Sequence, residues 1–85
     1  MTKQTVQYTG DIPFHIRPIG TFVDIVKRSG CTVTVAKKDL IVKGNKAMQL
    51  LKLEIVKNDH VTIEVSGPDE EQVLNKLVKV LTGGE

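Results

Sequence analysis

Polar and apolar residues alternate over Thr5-Val6-Gln7-Tyr8, a period of two that predicts a half-buried strand with Val6 and Tyr8 inward, ending at Gly10. From Ile16 the period lengthens. Ile19, Phe22, Val23 and Val26 recur at helical spacing, Lys27 and Arg28 supply last-turn cations and Gly30 a C-cap, so a first helix is predicted over residues 16–28. Alternation returns at Thr32-Val33-Thr34-Val35; after the polar turn Lys37-Lys38-Asp39, Leu40-Ile41-Val42 completes a hairpin. Lys43-Gly44-Asn45 breaks the pattern, and Asn45 is the predicted N-cap of a short helix from Lys46 to Leu53. Leu50 and Leu53 share one side of that helix and Ala47, Met48 and Leu51 another, so it carries two apolar sides and one is a candidate for exposure. Lys57-Asn58-Asp59 reads as a turn in which Asn58 tolerates positive φ, and His60 to Val65 alternates with its valines and isoleucine inward. Asp69, followed three residues later by Gln72, has the spacing of a capping box ahead of the stripe Val73, Leu74, Leu77, Val80 and Leu81, which ends at Gly83.

The resulting order is β-α-β-β-α-β-α, an α+β chain whose strands most simply form a four-stranded antiparallel sheet with helices on one face and water on the other. Its 85 residues suit one small domain, 1–85, in which every apolar stripe is needed for the core. With 40% hydrophobic and 26% charged residues, the composition is that of a globular protein. A net charge of +2 with acids and bases interspersed, and 4% aromatic residues, argues against nucleic acid as a partner. Cys31 is the single cysteine, so no intrachain disulfide or multi-cysteine metal site is available and a reducing, cytoplasmic setting is expected. Neither a signal-like apolar segment at Met1-Thr2-Lys3-Gln4-Thr5-Val6 nor a bilayer-spanning run is present, so no membrane insertion is expected.

The candidate chemistry lies where the first helix begins, at His15-Ile16-Arg17-Pro18. An imidazole at the N-cap adjoins backbone N–H groups that have no intrahelical partner, and Pro18 in the first turn gives up only a donor the helix does not use. The amides of Ile16 and Arg17 remain available to an anion, and the positive end of the helix dipole favours a neutral, nucleophilic ring. A phosphoryl group on His15 would share its charge with the Arg17 guanidinium. Such stabilisation must be partial in a carrier, because a group held too favourably is not passed on. By residue type and spacing alone, solvated loop residues beside a helix start are the commoner reading of the same quartet.

Those residues carry a family resemblance. His15-Ile16-Arg17-Pro18 resembles the His-Ala-Arg-Pro signature of HPr, the histidine-containing phosphocarrier of the phosphoenolpyruvate-dependent sugar phosphotransferase system. Val42, Met48, Leu53, the Ile63 strand, and Ser66-Gly67 followed by Asp69-Glu70 also fall where that family places similar residues. The resemblance implies an open-faced β-sandwich and phosphorylation of His15 at Nδ1 by enzyme I. It implies transfer onward to sugar-specific enzyme II A domains, with Arg17 as charge partner and no cofactor or metal. It further implies docking of both partners through Phe14, Gly20, Ala47, Met48 and Leu51. The protein would be a monomeric carrier and not an enzyme with turnover of its own.

The chain also departs from that pattern. Ile16 stands where alanine is usual and Pro13 where glycine is, which stiffens and crowds the histidine loop. Lys46 occupies the place of a serine that a metabolite-controlled kinase phosphorylates in Gram-positive bacteria, so that regulation is expected to be absent. Asp24 adds a negative charge to the first helix, while Lys27, Lys46 and Lys52 are solvated cations available to an acidic partner surface. These departures keep a second hypothesis open: a regulatory binding module that has left sugar transport and controls a transcription factor or metabolic enzyme. A small hydrolase is disfavoured, since no second catalytic base accompanies His15. His60 reads as a solvated histidine at a strand start, and Cys31 as a small buried residue after the helix cap.

Overall fold

The computed structural model describes residues 1–8, 16–56 and 58–82, apart from the side chains of Ile16, Arg17, Pro18 and Thr82. Along them run β1 (Thr2–Gln7), α1 (Ile16–Ser29), β2 (Thr32–Lys37), β3 (Leu40–Lys43), α2 (Ala47–Lys52), β4 (His60–Ser66) and α3 (Glu70–Thr82). The strands form one antiparallel sheet in the order β1-β4-β2-β3. Because β4 is antiparallel to both of its neighbours, β1 and β2 point the same way with β4 between them, and α1 is the crossover that joins them. By the same reasoning β3 and β4 flank β2 and are joined through α2. The two split crossovers interlock.

Register puts Val6 opposite Val61, and Val35 opposite both Ile63 and Val42. The period of two sends Val33, Val35, Val61, Ile63 and Val65 to one face, where they are buried against Ile19, Phe22 and Val26 of α1, Leu50 of α2, and Leu74, Leu77 and Leu81 of α3. The opposite face is polar. Thr5 and Thr62 are hydrogen-bonded there across β1 and β4 at 2.8 Å, and Thr34 and Glu64 are half-buried. This is the α+β sheet with helices on one face that the alternation predicts, and the open-faced β-sandwich that the resemblance implies, with Tyr8 buried just beyond the end of β1.

Several boundaries differ, each for a local reason. β1 begins at Thr2, since Thr2, Lys3 and Gln4 pair with Val65, Glu64 and Ile63 although the short polar run carries no clear alternation. β2 continues through Lys37, which pairs with Leu40, so the hairpin loop is only Lys38-Asp39, with Lys38 at φ 56°. Helix α2 takes Lys46 and not Asn45 as its N-cap, with extended backbone and no capping side chain, and it ends at Lys52. At the start of α3 the expected Asp69 and Gln72 box is replaced: Asp69 lies at φ 54°, outside the extended N-cap range, and Glu70 Oε1 accepts from the Gly67 N–H at 3.2 Å. Asn58 does adopt positive φ, at 76°, and Gly30 caps α1 at φ 73°. Gly10, Lys57 and Gly83, the other turn and end signals, lie outside the described residues.

Candidate functional site

Helix α1 begins at Ile16, so in the chain His15 immediately precedes its first turn. The opening N–H groups of a helix have no intrahelical acceptor, Pro18 has none to offer, and the first turn contains no acidic residue to compete for an anion. Ile16, Arg17 and Pro18 are the first three residues of the helix. Phe14 and His15 themselves, and Pro13 beside them, lie outside the described residues, as do the side chains of Ile16, Arg17 and Pro18.

The orientation of that helix start is fixed from below. Ile19 and Phe22 are completely buried, with Val23 and Val26 beside them. At the far end the Ser29 hydroxyl donates to the Val26 carbonyl at 2.7 Å and accepts from the Cys31 N–H at 3.0 Å. Lys27 and Arg28 complement the negative end of the dipole.

The short helix α2 is anchored differently. Ahead of it, Gly44 N–H donates to the Val33 carbonyl at 2.8 Å, and a Cβ on Gly44 would stand 2.7 Å from Val33 Cγ1 and 3.3 Å from Phe22 Cε1. The chain is therefore pressed onto β2 and α1 at a point where no larger residue fits. Gln49 Oε1 accepts from the Lys43 N–H at 3.2 Å, and Leu50 is buried. The other side of the helix is open: Met48 is 68% exposed, with Ala47 and Leu51 half-buried at its margins. On α1, Gly20 is exposed, with nothing within 4 Å of where a Cβ would stand. Of the expected docking set, the structure thus leaves Met48 and Gly20 accessible and divides Ala47 and Leu51 between core and surface.

One polar cluster beneath α2 was not anticipated from the sequence. Lys37 Nζ donates to the carbonyls of Leu53 at 3.1 Å and Glu54 at 2.6 Å, and pairs with Asp59 Oδ2 at 2.7 Å. That carboxylate oxygen also accepts from the Val56 N–H at 2.9 Å. The hydrogen bond from Lys37, then that from Val56, holds the Asp59 carboxyl below its ordinary value. The available signal is phase: Lys37 continues the inward series of Val33 and Val35 and is the last residue of β2, not part of the predicted turn.

The remaining charged groups are peripheral. Asp24 pairs with Arg28 at 3.1 Å one helical turn away, both well exposed, and Lys27, Lys46 and Lys52 are solvated. His60 is exposed, as its outward phase predicts. Cys31 is half-buried, with its thiol 3.1 Å from the Pro68 carbonyl. Among the described residues no group of three His, Cys, Asp or Glu side chains has metal-binding geometry, and no helix is long and apolar enough to cross a membrane.

Comparison with known proteins places these features in a family. Residues 2–82 match the model described as the PTS HPr component phosphorylation site. The phosphocarrier protein HPr of Chlamydia muridarum is 30% identical over 70 residues, which cover 82% of this chain and 67% of the relative. The crystal structure of an HPr from Bacillus anthracis superposes with a TM-score of 0.88 at 23% identity, covering 95% of this chain and 96% of that one. Crh of Bacillus subtilis, described as a catabolite repression protein and as a domain-swapped dimer, superposes with a TM-score of 0.77 at 26% identity, covering 99% and 97%.

Proposed function

This chain belongs to the HPr family of bacterial phosphocarriers of the phosphotransferase system, and we propose that within it His15 is the group that accepts and releases the phosphoryl moiety. The supporting observation is that a match to the family's phosphorylation-site model spans His15, and that α1 starts at the very next residue. In the proposed reaction the neutral His15 ring, at Nδ1 as the family resemblance implies, attacks the phosphorus of phosphorylated enzyme I. A P–N bond forms on His15 as the donor's bond to phosphorus breaks; a nucleophile of an enzyme II A domain then attacks the same phosphorus, and the P–N bond breaks with neutral His15 as the leaving group. The amides of Ile16 and Arg17 and the Arg17 guanidinium carry part of the charge while the group is held. No cofactor or metal enters this scheme. Met48, with Ala47, Leu51, Gly20 and Phe14, is the proposed docking surface, and Lys46 offers no hydroxyl for a regulatory kinase. The cytoplasm is the proposed compartment.

Incubation with phosphoenolpyruvate, magnesium and enzyme I should add one acid-labile phosphoryl group, read by intact mass, and His15→Ala should remain unmodified. An unmodified wild type, or equal modification of both, overturns the proposal. The similarity to Crh, together with Ile16 and Pro13 beside the histidine, supports a second reading in which the fold serves as a regulatory module. On that reading a target is retained equally well by wild type and His15→Ala.

A further inference from the structure

Helix α2 has six residues and lacks a capping side chain at its start. Isolated helices of that length are not stable in water, so its pose must come from what its ends and its buried side are attached to. Only Leu50 of its six residues is fully buried. At its C-terminal end the last turn tightens, with the Leu53 N–H bonding to the Leu50 carbonyl and the Glu54 N–H to the Leu51 carbonyl, at 3.2 Å each. Leu53 and Glu54 then present their own carbonyls past the helix end, and Glu54 takes the left-handed conformation at φ 53°.

Lys37 meets those two carbonyls. An ammonium has three N–H donors, and here three acceptors surround it: Leu53 O, Glu54 O and Asp59 Oδ2. The side chain is 13% exposed and Asp59 21%, so the pair is shielded from most of the solvent that makes surface ion pairs ineffective. Asp59 is itself fixed by the Val56 N–H, and its backbone is tied to the end of β1 through the Tyr8 N–H at 2.8 Å. The positive charge also lies at the negative end of α2. One side chain from β2 therefore joins the end of α2, the loop after it and the approach to β4.

We infer that Lys37, oriented by Asp59, is the positioning residue that sets the pose of α2 and thereby of the surface around Met48 on which partners dock. The inference rests on the docking reading given above. It separates two things a variant can disturb, the affinity of the encounter and the transfer at His15, because Lys37 holds the helix that docks and not the helix start that carries the histidine.

The test uses the full chain as substrate of enzyme I, with KM and kcat measured for wild type, Lys37→Met, Asp59→Asn and Met48→Glu. Val80→Ala, on α3, serves as a control for lost stability alone. Lys37→Met keeps the apolar stem and removes the ammonium; KM should rise roughly tenfold with kcat unchanged, as expected when ground-state and transition-state binding are lost equally. Backbone amide shifts should change chiefly over residues 47–56 and 59, and Val80→Ala should leave KM at the wild-type value. If Lys37→Met does not fold, Asp59→Asn carries the same test with a smaller rise. An unchanged KM in a folded variant, or a fall in kcat with KM constant, overturns the inference. If Met48→Glu raises KM while Lys37→Met does not, only the positioning role fails; if Met48→Glu also leaves KM unchanged, the docking reading fails and takes the inference with it.

Discussion

Helices α1 and α2 are held by opposite means. α1 has fourteen residues, sinks Ile19, Phe22, Val23 and Val26 into the core, and is closed by Ser29 and Gly30. α2 has six, buries Leu50 alone, and depends on a glycine contact at one end and a lysine clamp at the other. The difference suits the two tasks proposed for them. A group that must hold a phosphoryl moiety against a helix start needs an axis that does not move, and the apolar burial of Ile19, Phe22, Val23 and Val26 provides it. A surface that meets several partners needs exposed apolar area on a small element, which leaves little for the core and shifts the anchoring to polar contacts at its ends.

The largest break in that comparison is expected at Phe22. Truncation of this fully buried ring in Phe22→Ala should cost about 3–5 kcal/mol, measured by denaturant unfolding, and should disturb the whole domain. A loss under about 1 kcal/mol, the scale of an ordinary surface change, would show that α1 is not anchored by its core face. Gly44→Ala probes the opposite kind of anchor. Its Cβ would press to within 2.7 Å of Val33 Cγ1, so a cost of about 1–3 kcal/mol is expected from overpacking, with amide shifts concentrated in α2 and its neighbours on β2 and α1. Stability equal to wild type would mean that the segment before α2 is free to move off the sheet.

The clamp is sharpened by pH. Because Lys37 and Val56 lower the folded-state value of Asp59 below its ordinary 3.8, the carboxylate contributes stability that is fully present above that value and is lost as pH falls through the lower folded one. The difference in Tm between wild type and Asp59→Asn should therefore be constant from about pH 7 to pH 5 and shrink below about pH 4. A difference that does not change across that range would exclude an ionised Asp59 as its source.

The same contrast explains what was legible in the sequence. α1, β2 and β4 announce themselves because core burial imposes a period, and Phe22, Val35 and Ile63 fall where that period puts them. The extra apolar side of α2 was legible for the same reason, and Met48 is exposed as that reading allowed. The strand order, with β4 between β1 and β2, was not, because alternation states which face is buried and says nothing of which neighbour supplies the hydrogen bonds. The Lys37 clamp was missed since its acceptors are backbone carbonyls, which every residue has, and its one side-chain partner is 22 positions away. Ile55 carries no periodic signal either: it lies in the loop that the clamp holds and is buried in the core.

The division of labour between the two helices is tested most directly by comparing phosphoryl transfer from enzyme I to Met48→Glu and to wild type. Met48 is a surface residue, so the substitution should leave stability within about 0.5 kcal/mol while placing a charge in the centre of the proposed docking face. The account predicts a KM raised at least about tenfold with kcat preserved, since His15 and the start of α1 are untouched. A variant whose KM equals that of wild type, or whose kcat falls with KM unchanged, would contradict it.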